Sequence, residues 1–243
     1  MKSNKNILIL GGSGLIGTQI VKNLVSVGYN VYVMDKKKNK YLTKKNMILC
    51  DISKINLFNR KFDLLTQKEK IDTVINLSYL KNKNWGKKFL KLKPNDVKEN
   101  LFLQLGTIIL TSQKIIDYFI NKKKGNLILF SSIQGISAPK FSHYNNTNMT
   151  SPIEYSAAKA GIINMTKYIA KFCEKKKIRV NCISPGGVLD NQPKKFIKKY
   201  KESCLSKGLL DSNDLNGIVE FLVSEKSNFI NGQNIIIDDG WSL

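Results

Sequence analysis

The run Ile7-Leu-Ile-Leu-Gly-Gly-Ser-Gly-Leu-Ile-Gly17 constrains this chain more than any other segment. A short apolar strand stops at Gly11 and Gly12, with Gly14 and Gly17 following. Leu15, Ile16, Ile20, Val21, Leu24 and Val25 then form a helical stripe that Gly28 closes. A backbone turning this tightly from strand to helix aims N–H groups and the positive end of a helix dipole at one point, which suits a pyrophosphate. Gly11, Ser13, Gly14, Leu15, Ile16 and Gly17 are the candidate contacts. The next strand ends on Asp35, 18 residues beyond Gly17. A carboxylate there accepts bonds from both ribose hydroxyls of NAD and repels the 2′-phosphate of NADP. NAD is therefore expected over NADP, although Lys36, Lys37 and Lys38 beside the acid could tolerate a phosphate.

Strands and helices alternate along the rest of the chain. Segments 5–10, 30–35, 47–52, 73–78, 125–132, 178–187 and 233–240 read as strands. Helical stretches fall near 53–68, 95–121, 153–176 and 211–224. Apolar strands separated by amphipathic helices imply an α/β, doubly wound parallel sheet of about seven strands with helices on both faces, a single-domain Rossmann fold over residues 1–243. No uninterrupted apolar run is long enough to span a membrane. The segment Ile7–Leu10 is too short for a signal peptide, so a cytoplasmic protein is expected. Cys50, Cys173, Cys182 and Cys204 are scattered, and His143 is the one histidine, so neither a metal site nor a disulfide framework is expected. The formal charge of +22 is almost entirely lysine, with Arg60 and Arg179 the only arginines. The lysines lie in short runs along the whole chain, so a solvated surface is expected and nucleic acid is not.

Tyr155-Ser-Ala-Ala-Lys159 sets a phenol and an ammonium four residues apart on one helix face. Tyrosine is a poor base at neutral pH, and a nearby ammonium lowers its pKa. With the glycine turn, Ser131-Ser132 ending the fifth strand, Arg179-Val-Asn-Cys-Ile-Ser-Pro-Gly186, Asn231-Gly232-Gln233 and Ile235-Ile-Ile-Asp-Asp-Gly240, the chain resembles the short-chain dehydrogenase/reductase family over essentially its whole length. That resemblance implies an NAD(P)-dependent oxidoreductase interconverting a secondary alcohol and a ketone. It makes Tyr155 the general acid/base, Ser132 the group that polarises the substrate oxygen, and Lys159 the group that lowers the tyrosine pKa and relays protons through the ribose. It also assigns adenine contacts to Asp51 and Ile52 and cofactor contacts to Asn76, Leu77 and Ser78. Pro185, Gly186 and Val188 become the loop holding the nicotinamide carboxamide. The amide completing the proton relay falls on Gln104, with Asn100 as the alternative.

Several departures from the family pattern point toward sugar-like substrates. Leu15 replaces a glycine, Asn76-Leu-Ser-Tyr79 stands where Asn-Asn-Ala-Gly is usual, and 22 residues separate Ser132 from Tyr155. The insertion 136–152 is polar and aromatic and leads into the Tyr155 helix. His143 and Tyr144 in it are candidate substrate contacts, with a surface position the alternative for His143. Asp190-Asn-Gln-Pro193 is expected to begin a mobile lid. Pro185-Gly-Gly-Val-Leu-Asp-Asn-Gln-Pro193 and the ending Asp-Asp-Gly-Trp-Ser-Leu243 are also similar to bacterial reductases of flagellin glycosylation and nonulosonic acid synthesis, which implies a sugar or sugar-phosphate substrate. Apolar stripes on the helices flanking the fifth strand imply a homodimer or homotetramer. A 3-oxoacyl-carrier-protein reductase and a catalytically idle NAD-binding sensor or scaffold remain as alternatives.

Overall fold

Strand β1 (Asn6–Leu10) turns directly into helix α1 (Leu15–Ser26), and this β-α rhythm repeats through the chain in the computed structural model, which describes residues 5–243. The strands that follow are β2 (Asn30–Asp35), β3 (Met47–Leu49), β4 (Thr73–Asn76), β5 (Lys124–Phe130), β6 (Lys177–Pro185) and β7 (Asn234–Ile237). The helices are α2 (Ile55–Thr66), α3 (Pro94–Leu101), α4 (Thr107–Lys122), α5 (Ile153–Phe172), α6 (Lys194–Lys201) and α7 (Asn216–Val223). The seven strands form one sheet in the order β3-β2-β1-β4-β5-β6-β7, and every pairing is parallel. This is the doubly wound Rossmann arrangement expected from the sequence.

Strand alternation divides the core in two. Leu8, Leu10, Val74, Leu127, Leu129 and Val180 point to the face covered by Phe58 and Phe62 of α2, Ile115 and Phe119 of α4, and Ile162 of α5. Ile7, Ile9, Val31, Val33, Ile75 and Ile128 point the other way, onto Ile20, Val21 and Leu24 of α1 and Val219, Leu222 and Val223 of α7. Phe58, Phe62 and Phe119 are wholly buried, and truncating a core phenylalanine to alanine typically costs about 3–5 kcal/mol. No helix among the described residues is long and apolar enough to cross a membrane.

Several element ends differ from expectation. The third strand stops at Leu49 because Asp51 folds back, its Oδ1 accepting from the Ser53 N–H at 3.1 Å and hydroxyl at 2.6 Å. The fourth stops at Asn76, whose Oδ1 accepts from the Ser78 N–H and hydroxyl in the same way. The long helix expected over 95–121 is continuous, but Phe102–Gly106 winds as one π-helical turn between α3 and α4. Gly106 fits there because the Phe102 ring lies over it, 2.8 Å from where a Cβ would stand. The segment expected to start a mobile lid leads into α6, which the sequence reading missed. Phe196 and Tyr200 bury one face of α6 and its lysines face out. These two join Ile133, Leu209 and Trp241 in a third, smaller apolar cluster beyond the carboxyl edge of the sheet.

Candidate active site

The strand order reverses between β1 and β4, and a cleft of about 740 Å³ opens over the carboxyl ends of these strands and their neighbours, where ligands of doubly wound sheets bind. One end of the cleft is built by the glycine turn. Gly11 sits at φ +76°, and a Cβ there would stand 3.0 Å from the Leu77 carbonyl carbon and the Ser78 nitrogen. A Cβ on Gly17 would collide with the Gly11 carbonyl oxygen at 2.5 Å. The first turn of α1 carries no acidic residue, and Gly14 offers no side chain to cap it. Its outward N–H groups thus remain available to an anion. Gly11, Ser13, Gly14, Leu15, Ile16 and Gly17 all line the cleft. The residues therefore fit a pyrophosphate.

Asp35 lines the same end. Its carboxylate is oriented by the Ser13 N–H on Oδ2 at 2.9 Å and the Lys37 N–H on Oδ1 at 3.1 Å. The Lys36 ammonium turns to Asp51, 3.0 Å away. Burial pushes the Asp51 carboxyl up, but the Ser53 hydroxyl and Lys36 outweigh it and hold it below the usual carboxylate range. Ile52 lines the cleft and Asp51 does not. Leu77 and Ser78 also line it, whereas Asn76 is buried behind them and shapes their turn. Pro185, Gly186 and Val188 line the far side, together with Gly187.

Ser132, Tyr155 and Lys159 meet in the middle of the cleft. Ser132 ends β5 and also caps the following turn, its Oγ accepting from the Gln134 N–H at 3.2 Å. Ser131 turns away and donates to the Lys159 carbonyl oxygen at 2.7 Å, tying strand to helix. Lys159 is the only buried lysine among the described residues. Its Nζ donates to the Phe130 carbonyl oxygen at 3.0 Å and stands 5.4 Å from the centre of the Tyr155 ring.

The protonation balance corrects the expectation that Lys159 lowers the tyrosine. Burial pushes the Tyr155 phenol up; the nearby Ser132 hydroxyl pulls it down and Tyr144 adds to the rise. Burial likewise lowers Lys159 to about 8. Desolvation disfavours the charged form of each group. The resting pair is thus a neutral phenol beside a readily deprotonated amine.

Gln104 and Asn100 do not line the cleft. The Gln104 amide donates to the Leu80 carbonyl oxygen. Asn100 accepts from the Asn82 N–H at 3.2 Å and donates to Glu154 at 3.5 Å. Both amides hold the loop after β4 from behind, because the π-turn carries Gln104 toward that loop. Gln104 Oε1 and Glu154 Oε2 are buried without a hydrogen-bond partner among the described residues.

The substrate end is walled by aromatic rings. His143 is buried rather than on the surface. Its Nε2 lies 3.0 Å from Ser203 Oγ, and its ring sits edge-on to Phe196, Tyr200 and Trp241. Burial, with Lys140 and Lys199 adding to it, lowers the His143 pKa. Tyr144 packs on Phe196 at 5.3 Å, and Tyr200 stacks on Trp241 at 5.8 Å. The Tyr200 hydroxyl accepts from the Gly187 N–H at 2.6 Å, joining this wall to the 185–188 loop. Tyr79, Gln134, Phe196, Tyr200 and Trp241 also line the cleft, and the sequence reading assigned none of them to the site. The pair Phe196 and Tyr200, four apart on a lysine-rich helix, was the available signal.

A family model described as enoyl-(acyl carrier protein) reductase matches residues 13–242. The chain is 36% identical over 256 residues to the post-translational flagellin modification protein A of Campylobacter coli, covering 100% of both chains. It is 28% identical to the 7alpha-hydroxysteroid dehydrogenase of Bacteroides fragilis, covering 99% of this chain and 95% of that one. Among solved structures, a short chain dehydrogenase from Leptospira borgpetersenii with bound NAD+ superposes with a TM-score of 0.90 at 32% identity, covering 99% of this chain and 94% of that one.

Proposed function

The chain belongs to the short-chain dehydrogenase/reductase family of oxidoreductases, and from that premise we propose that it interconverts a secondary alcohol and a ketone on a sugar or sugar-phosphate substrate in the synthesis of bacterial surface or flagellin glycans, with NAD as its cofactor. The convergence of Ser132, Tyr155 and Lys159 in the cleft that also holds the glycine cradle carries the proposal. When bound, the nicotinamide cofactor supplies or accepts a hydride. The N–H groups of Leu15, Ile16 and Gly17 would hold its pyrophosphate over the turn shaped by Gly11, Ser13 and Gly14, Asp35 its ribose hydroxyls and the 185–188 loop its nicotinamide end.

In the reducing direction, Ser132 donates a hydrogen bond to the substrate carbonyl oxygen and Tyr155, a neutral phenol, delivers the proton to that oxygen. The carbonyl carbon receives the hydride, and the product is the alcohol. Lys159, with its ammonium easily deprotonated, returns a proton toward the phenolate left behind. Two observations support NAD over NADP: the oriented Asp35 carboxylate, and the diversion of Lys36 to Asp51. The polar groups of Gln134, His143 and Tyr144 among the aromatic rings suit a hydroxylated ring.

Exposed Ile109, Tyr168 and Phe172 on α4 and α5 support assembly as a homodimer or homotetramer of a cytoplasmic enzyme. An acyl-carrier-protein reductase would prefer NADP, so cofactor titration separates it from this proposal. Calorimetric titration with NAD and NADP, followed by a turnover screen of keto sugars and their phosphates against a Tyr155→Phe control, tests the whole. Binding of neither cofactor would overturn it.

A further inference from the structure

The loop after β4 leaves the sheet at Leu77 and carries Tyr79 and Trp85 across to α5. The Tyr79 ring meets Tyr155 edge-on with centres 5.9 Å apart and planes at 84°. The Trp85 ring meets Tyr155 at 6.3 Å and 83°. Tyr79 and Trp85 meet each other at 5.9 Å and 86°. Three rings mutually perpendicular at these separations form favourable edge-to-face contacts on every side of the triangle. The loop is held in place at many points. Gln104 grips the Leu80 carbonyl, Asn100 the Asn82 N–H, Glu99 the Asn82 amide at 2.8 Å, and Asp96 both the Asn84 amide and the Lys87 ammonium at 2.8 Å. From the other side, the Thr150 hydroxyl donates to the Gly86 carbonyl oxygen at 2.7 Å.

We propose that Tyr79 and Trp85 are positioning residues that pack edge-on against the ring of Tyr155 and limit the hydration of its phenol, holding it as a proton donor aimed at the substrate oxygen. The proposal rests on the catalytic role assigned above to Tyr155. It also gives the buried amides of Asn100 and Gln104 a task, since they secure the loop that bears both rings. Tyr79 is half-exposed, yet desolvation first and the proximity of Tyr155 second push its phenol up to about 12, so it remains uncharged in the working range. The other titratable groups around Tyr155 are Tyr144 from the 136–152 insertion and, on its own helix, Lys159 and Glu154, the last engaged with Asn100.

The test is the pH at which the Tyr155 phenol ionises, followed by tyrosinate absorbance. Each protein is read against the same protein carrying Tyr155→Phe, and NADH binding is measured by fluorescence in parallel. Trp85→Ala and Tyr79→Ala should lower the midpoint by about one pH unit or more through hydration of the phenol. Tyr79→Phe and Trp85→Phe, which keep an aromatic ring in place, should restore most of it. A midpoint unmoved by the alanine variants, or moved as far by the phenylalanine variants, would overturn the proposal while NADH binding stayed intact. If Trp85→Ala or Tyr79→Ala does not fold, Tyr79→Leu and Trp85→Leu carry the same expectation. Failure of every form, wild type included, to bind NADH would instead sink the oxidoreductase assignment beneath it.

Discussion

One end of the cleft is built from backbone, the other from side chains. The glycine end consists of N–H groups from a strand-helix turn, and its shape follows from Gly11 and Gly17, where a Cβ would stand 3.0 Å and 2.5 Å from neighbouring backbone atoms. The substrate end is assembled from a loop after β4, an insertion after β5, helix α6 and Trp241 near the end of the chain. The first is a local solution that any chain needing it must rediscover with the same residues. The second is a long-range agreement between distant segments.

Tyr155→Phe should break the comparison at its meeting point and have the largest effect. Turnover should fall about 10²- to 10⁴-fold, the range for losing a general acid/base, while calorimetry finds NAD affinity nearly unchanged. Gly17→Ala probes the backbone end. The added methyl meets the Gly11 carbonyl oxygen, so destabilisation of about 1–3 kcal/mol and a loss of the thermal shift produced by NAD are expected in melting curves.

Lys159 sharpens the contrast through pH. Its folded value of about 8 lies below its unfolded 10.5, so between these values the unfolded chain binds the extra proton and stability rises with pH. Between pH 8 and pH 10, denaturant unfolding of the cofactor-free protein should change about 2 kcal/mol more favourably for the wild type than for Lys159→Met, a difference that cancels the opposing loss from Cys182 and Cys204, whose thiols burial pushes up to about 11 in both proteins. Asp35→Ser should lower NAD affinity about tenfold, the loss of charge-assisted bonds, and narrow the gap to NADP in competition titrations. His143→Phe should be mildest, altering the KM of the accepted substrate by less than about tenfold with cofactor binding intact.

The sequence disclosed the two ends unequally, for the same physical reason. Gly11 to Gly17, Asp35, Ser132, Tyr155 and Lys159 were legible because each sits at a fixed offset from a strand end or on one helix face, and periodicity locates those places. Phe196, Tyr200 and Trp241 were not, since nothing local tells a chain that residues near 143, 200 and 241 will share a wall. Gln104 shows a subtler failure. Counting along an ideal helix cannot foresee a π-turn, and one additional residue per turn rotates an amide from one neighbour to another. The upward push on the Tyr155 phenol was not legible either, because the spacing of four brings Lys159 near whereas burial is a property of the completed fold.

The bond from Thr150 to Gly86 ties together two separate excursions from the sheet through residues 64 positions apart in the chain. Neither excursion is therefore an independent module. A chimera that grafts one of them onto a related enzyme would inherit half an enclosure, with an unmatched hydroxyl or carbonyl at the seam, and new substrate preferences should be transplantable only when both are moved as a pair.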